Sequence, residues 1–126
     1  MDAPLQTAAD VGGHYRSYLG TENGFAFLKT LHERNLIVPV IGDFGGPNAI
    51  RLAGDYIRQR GNNLQAFYGS NVEVYLNRQQ TAAFCGNLAT LPYDSRTWFI
   101  GSKGMQRLSS KLKFCPGGST AILPAR

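Results

Sequence analysis

Six consecutive apolar residues, Leu36-Ile37-Val38-Pro39-Val40-Ile41, constrain the fold of this chain more than any other stretch. Most are β-branched and they do not alternate with polar residues, which is the pattern of a strand covered on both faces. Pro39 cannot donate to a ladder, so the strand should carry a bulge or one unpaired side. The turn that follows, Gly42-Asp43-Phe44-Gly45-Gly46-Pro47, ends on a proline suited to the first position of a helix. Ile50, Ala53, Gly54 and Ile57 mark one face of that helix, and Gly61 stops it. Gly54 would let the helix approach the sheet closely. Leu64-Gln65-Ala66-Phe67-Tyr68 reads as the next strand, closing a βαβ unit with parallel strands and a right-handed crossover.

The flanking sequence extends this unit on both sides. Residues 1–13 end in Gly12-Gly13 and read as a lead-in. Thr21 is an N-cap with Glu22 in the first turn, and Phe25, Leu28 and Leu31 make an apolar stripe that should end near Asn35. After the second strand, Gly69-Ser70-Asn71 leads to a short helix with Val72, Tyr75 and Leu76, then a helix over residues 79–88 with Phe84 and Leu88 on one face. Thr97-Trp98-Phe99-Ile100 is a third strand. Beyond Ile100 the texture becomes polar and glycine-rich, which reads either as a disordered tail or as one holding a weak hairpin strand around Ala121-Ile122-Leu123. The expected organisation is a lead-in at 1–13, an α/β domain at 14–100 and a basic, poorly ordered tail at 101–126.

Charge supports that division. The eight acidic residues all lie in 1–100 and are matched there by eight basic ones, so the net charge of +5 resides in residues 101–126. A basic tail could lie on phosphates with strong salt dependence, but the plainer reading is a solvated end. No apolar run approaches the ~18 residues of a membrane span, and the N-terminal residues do not read as a secretory signal. Two cysteines, Cys85 and Cys115, are too few for a disulfide scaffold. They read as free thiols in a reduced, cytoplasmic chain, with Cys85 as a buried helical residue.

Chemistry is expected at the carboxyl ends of the parallel strands, where open sheets gather ligands. The two loops there, 42–47 and 69–73, put Asp43, Asn71 and Glu73 on one edge. Asp43 could act as a general base or accept hydrogen bonds, and Asn71 could donate and accept. Each has a structural alternative: Asp43 as the cap of its own turn, Asn71 as an N-cap, Glu73 as a first-turn charge on the helix dipole. Gly42, Gly45 and Gly46 do not form a GxGxxG fingerprint and read as turn residues, although exposed amides before a helix could bind an anion. His14 and His32 lack metal-ligand spacing, and no metal is expected.

Several blocks together resemble an uncharacterised bacterial family with a fold like class I S-adenosylmethionine-dependent methyltransferases. They are 15–19 (YRSYL), 34–47 (RNLIVPVIGDFGGP), 67–76 (FYGSNVEVYL), 84–92 (FCGNLATLP) and 97–100 (TWFI). The match spans about residues 13–101 and resembles the C-terminal half of the longer family members. It implies a partial Rossmann-like, methyltransferase-like sheet of about three mostly parallel strands with flanking helices. The strands at 36–41 and 64–68 would be the fourth and fifth of such a sheet, with no counterpart here of its cofactor-holding first strands. The resemblance places Asp43 at the catalytic edge, with Gly42, Phe44, Gly45, Tyr68, Asn71 and Glu73 facing substrate or cofactor. The residues after Gly101 depart from the family pattern.

Three readings of function follow. The first is a methyltransferase-like half-domain without catalysis of its own, open to a homodimer or to a partner chain carrying the N-terminal half. Half a doubly wound sheet leaves an edge beside 36–41 unpaired and an apolar face uncovered. The second is a methyltransferase subunit that binds S-adenosylmethionine only once another chain completes the site. The third is a nucleic-acid-binding module driven by the basic tail, which ranks last.

Overall fold

The computed structural model describes residues 8–116, and the chain divides into two compact units, Met1–Pro39 and Val40–Arg126. In the first unit an isolated antiparallel bridge joins Ala9 to Tyr15. The Asp10 carboxylate closes this loop, accepting from the backbone N–H groups of Gly12 (2.9 Å) and His14 (3.0 Å) and from Arg16 Nε (2.9 Å). The His14 N–H, followed by the Arg16 side chain, holds the Asp10 carboxyl below its ordinary range.

Helix α1 covers Glu22–Glu33 and is capped by the Thr21 hydroxyl, which accepts from the Gly24 N–H at 3.0 Å. Its end is fixed by Asn35 in the left-handed region (φ 52°), with Asn35 N–H bonded to His32 O and Leu36 N–H to Leu31 O. That pairing of bonds is a Schellman-type stop. The cap and the length agree with the sequence, yet α1 buries none of its residues.

The expected strand at 36–41 does not form. Residues 36–41 carry no ladder pairing and bend at Ile37, and Leu36 is 57% and Ile41 100% exposed. A strand exists only through its ladder. No described strand runs beside this segment, and Pro39 removes one of its donors.

In the second unit, helix α2 spans Ala49–Gln59, and Gly61 follows it with φ +66°. A Cβ on Gly54 would lie 3.2 Å from Leu91 Cδ2, so this glycine brings α2 against the Leu91–Pro92 turn and not against the sheet. Strand β1 (Ala66–Ser70) leads through a 3-10 turn at Val72–Tyr75 into helix α3, Arg78–Ala89. A capping box starts α3: Asn77 Oδ1 accepts from Gln80 N–H, and Gln80 Oε1 accepts from Asn77 N–H.

Strand β2 (Trp98–Gly101) pairs parallel to β1 with Phe67 opposite Phe99, and the register shifts between Tyr68 and Ser70. It then turns through Ser102-Lys103 into antiparallel β3 (Gly104–Arg107), which runs directly into helix α4 (Leu108–Lys113). The result is a mixed sheet in the order β1-β2-β3, with β1 at an edge. The βαβ unit expected from 36–41, the following helix and 64–68 is therefore absent; a parallel β1–α3–β2 unit is found one strand further along the chain.

The core lies where α2, α3 and α4 meet the sheet. It holds Ile50, Phe84, Leu88, Leu91, Phe99 and Leu108. Phe67 stacks on Phe99 with centroids 5.9 Å apart, and Phe44 meets Phe67 and Phe84 edge-on. Leu108, in the stretch read as a poorly ordered tail, is fully buried. Residues 101–113 are therefore part of the domain, and the boundary expected at 100 is corrected. The weak strand expected around Ile122 lies outside the described residues. Cys85 on α3 and Cys115 after α4 form a disulfide (Cα–Cα 5.9 Å), which corrects the reading of both as free thiols. The bond ties the residue after α4 back to helix α3.

Candidate functional site

The parallel pair β1 and β2 ends in two loops, and a pocket of about 260 Å³ opens beside them. Glu73, Val74, Phe99, Lys103, Gln106 and Lys111 are among its lining residues. Glu73 comes from the 3-10 turn after β1, Lys103 from the β2–β3 hairpin turn, and Lys111 from α4.

Glu73 Oε1 accepts a charge-assisted hydrogen bond from Lys111 Nζ, in a pair whose side chains are only 26% and 17% exposed. Lys111 Nζ also lies 5.2 Å from the Phe99 ring centroid. Gly101 is needed beside them: a Cβ there would come within 2.9 Å of Phe99 Cε1 and 3.5 Å of Glu73 Oε2. Ser70, a non-glycine residue at φ 48°, marks the sharp exit of β1 toward this edge.

The expected site residues divide. Glu73 is in the pocket, but its partner is a helix α4 lysine and not Asp43 or Asn71. Asp43 Oδ1 accepts from the Gly45 N–H at 3.0 Å and its carbonyl accepts from Gly46 N–H, so this carboxylate closes its own turn. Asn71 makes no side-chain cap bond, and it is its carbonyl that accepts from Val74 N–H. Tyr68 is 71% exposed on the edge strand. Gly42 sits against Ala49, where a Cβ would collide at 2.4 Å, and Gly45 lies over the Gln80 backbone. Phe44 is a packing residue, and its carbonyl accepts from Asn87 Nδ2 at 2.9 Å.

Asn87 organises this loop and gave no motif in the sequence. Buried on α3, its Nδ2 donates to Phe44 O and Gly46 O, while Oδ1 accepts from Arg51 Nε at 2.9 Å. Thr97 plays the same part at the start of β2, donating to Leu64 O and accepting from Asp94 N–H. Asp94 in turn is held below the ordinary carboxylate range, first by the Arg96 side chain and then by the Arg96 N–H.

Two of the four described basic residues of the supposed tail are engaged. Lys111 pairs with Glu73, and the Arg107 guanidinium lies 3.8 Å over the Trp98 ring and donates to Arg96 O. Among the described residues no group of three or more His, Cys, Asp or Glu side chains could hold a metal ion. No described helix is long and apolar enough to cross a membrane.

The chain belongs to the family described as domain of unknown function DUF7790, whose model matches residues 5–114. That span includes β3 and α4, so the C-terminal hairpin and helix belong to the family domain. No curated protein matches the chain.

Proposed function

We propose that this chain is a methyltransferase-like α/β half-domain without catalysis of its own, which completes its sheet with a partner chain. The observation that carries this reading is the exposure of Leu36, Val38, Val40 and Ile41, in a segment whose composition suits a strand covered on both faces. The apolar stripe of α1, none of it fully buried, and the edge position of β1 support it. The occupation of Asp43 by its own turn argues against an autonomous catalytic base there. S-adenosylmethionine would then bind only to the completed assembly, and a transferase activity would belong to that assembly. The Cys85–Cys115 disulfide favours an oxidising compartment over the cytoplasm suggested by cysteine count.

Thermal melts of the purified chain with and without S-adenosylmethionine test the proposal. A ligand at ~100 times its Kd would add about 2.7 kcal/mol of stability. A cooperative melt that does not move is expected. A saturable upward shift would overturn the reading in favour of a self-sufficient cofactor site.

A further inference from the structure

The pocket between the 3-10 turn at Val72–Tyr75, the β2–β3 turn and α4 contains a pair of charges arranged for one kind of ligand. Two ammonium-bearing residues, Lys103 and Lys111, and one carboxylate, Glu73, line it, with Lys111 bonded to Glu73. Lys111 is fixed by Glu73 Oε1, whereas Lys103 makes no ion pair among the described residues. Glu73 Oε2 receives no hydrogen bond from any described residue. The site therefore offers an unused cation and an unused anionic acceptor in one cavity of about 260 Å³, below the usual size of a site for a drug-sized ligand.

We propose that this pocket binds a small carboxylate that carries a neighbouring hydrogen-bond donor, an α-hydroxy or α-amino acid. The ligand carboxylate would lie on Lys103 and the outer side of Lys111. Its hydroxyl or ammonium would donate to Glu73 Oε2. A phosphate dianion fits less well, because its second negative charge would be repelled by that carboxylate oxygen. A simple amine would leave Lys103 unanswered. The inference rests on the pocket alone and stands or falls separately from the methyltransferase-like reading.

Calorimetric titration of the full chain with L-lactate, L-serine, acetate, inorganic phosphate and ethanolamine tests it. Lactate or serine should bind saturably, with acetate at least about tenfold weaker for want of the donor. Lys103→Ala and Glu73→Gln should each weaken binding about tenfold, since each removes a hydrogen bond to a charged group. Lys113→Ala, on the same helix outside the pocket lining, should leave binding unchanged. Because Glu73→Gln unpairs Lys111, Lys103→Ala in the exposed turn serves as the variant that leaves the fold alone. Absence of saturable binding by both lactate and serine would overturn the proposal. So would acetate or phosphate binding as tightly as lactate, or unchanged affinity in Lys103→Ala.

Discussion

Residues 36–41 and residues 98–113 depart in opposite directions from what most of their composition suggests. The first stretch contains the chain's densest β-branched run and remains unpaired, with Ile41 fully exposed. The second is polar, glycine-interrupted and basic over most of its length, yet it supplies two strands, a helix and the fully buried Leu108. The difference lies in what each segment meets. Hydrophobic pattern states what a segment would bury; only a partner of matching register makes it a strand. Segment 98–113 has β1 beside it and the faces of Phe84 and Leu88 above it. A run such as 36–41 without a ladder is the form expected of a half-sheet awaiting its neighbour.

The largest way to break this comparison is at Leu108. Leu108→Ala should cost about 2–5 kcal/mol in urea unfolding, the range for a buried leucine. In the opposite region Ile41→Ala should change stability by no more than about 0.5 kcal/mol, as exposed positions do. Equal effects at the two sites would erase the distinction.

The disulfide gives the next largest effect. Its cysteines are 30 residues apart in sequence, and reduction should lower stability by about 2–4 kcal/mol. Melts with and without reductant, together with the Cys85→Ala/Cys115→Ala variant, would measure it. Insensitivity to reductant would mean that the end of α4 is held by Leu108 and Leu112 alone.

Asn87→Ala should cost about 2 kcal/mol by orphaning the carbonyls of Phe44 and Gly46 and the Arg51 guanidinium. It sharpens the comparison because it loosens the loop joined to the exposed run without touching the sheet. Nuclear magnetic resonance shifts confined to residues 42–51 are the expected signature.

The smallest effect is electrostatic. Asp94 has a lowered carboxyl pKa in the folded chain, chiefly through Arg96. Its contribution is therefore present above the ordinary carboxylate range and is lost as pH falls through the lowered value. Asp94→Asn should flatten the acid limb of the stability profile slightly, and an unchanged limb would show the ion pair to be without effect.

Much of the local structure was legible in the residues. Thr21 as a cap, the Phe25–Leu28–Leu31 stripe, Gly61 as a stop and the strands near 66–70 and 98–101 follow from short-range chemistry. Glu73 was placed at the right sheet edge, but its partner Lys111 lies 38 residues away on a helix masked by its own basic character. Asn87 could not be singled out, since a buried amide that ties a loop looks in sequence like any helical asparagine. Pairing of Cys85 with Cys115 likewise depends on a fold that brings α3 and the end of α4 together.

Backbone hydrogen–deuterium exchange of the purified chain tests the central claim most directly, because it reads pairing residue by residue. The account predicts amides at 37, 38, 40 and 41 exchanging near the rate of an open chain, with residues 66–70 and 98–101 protected by orders of magnitude. Protection of residues 36–41 equal to that of β1 would contradict it, since the segment would then already have its strand partner.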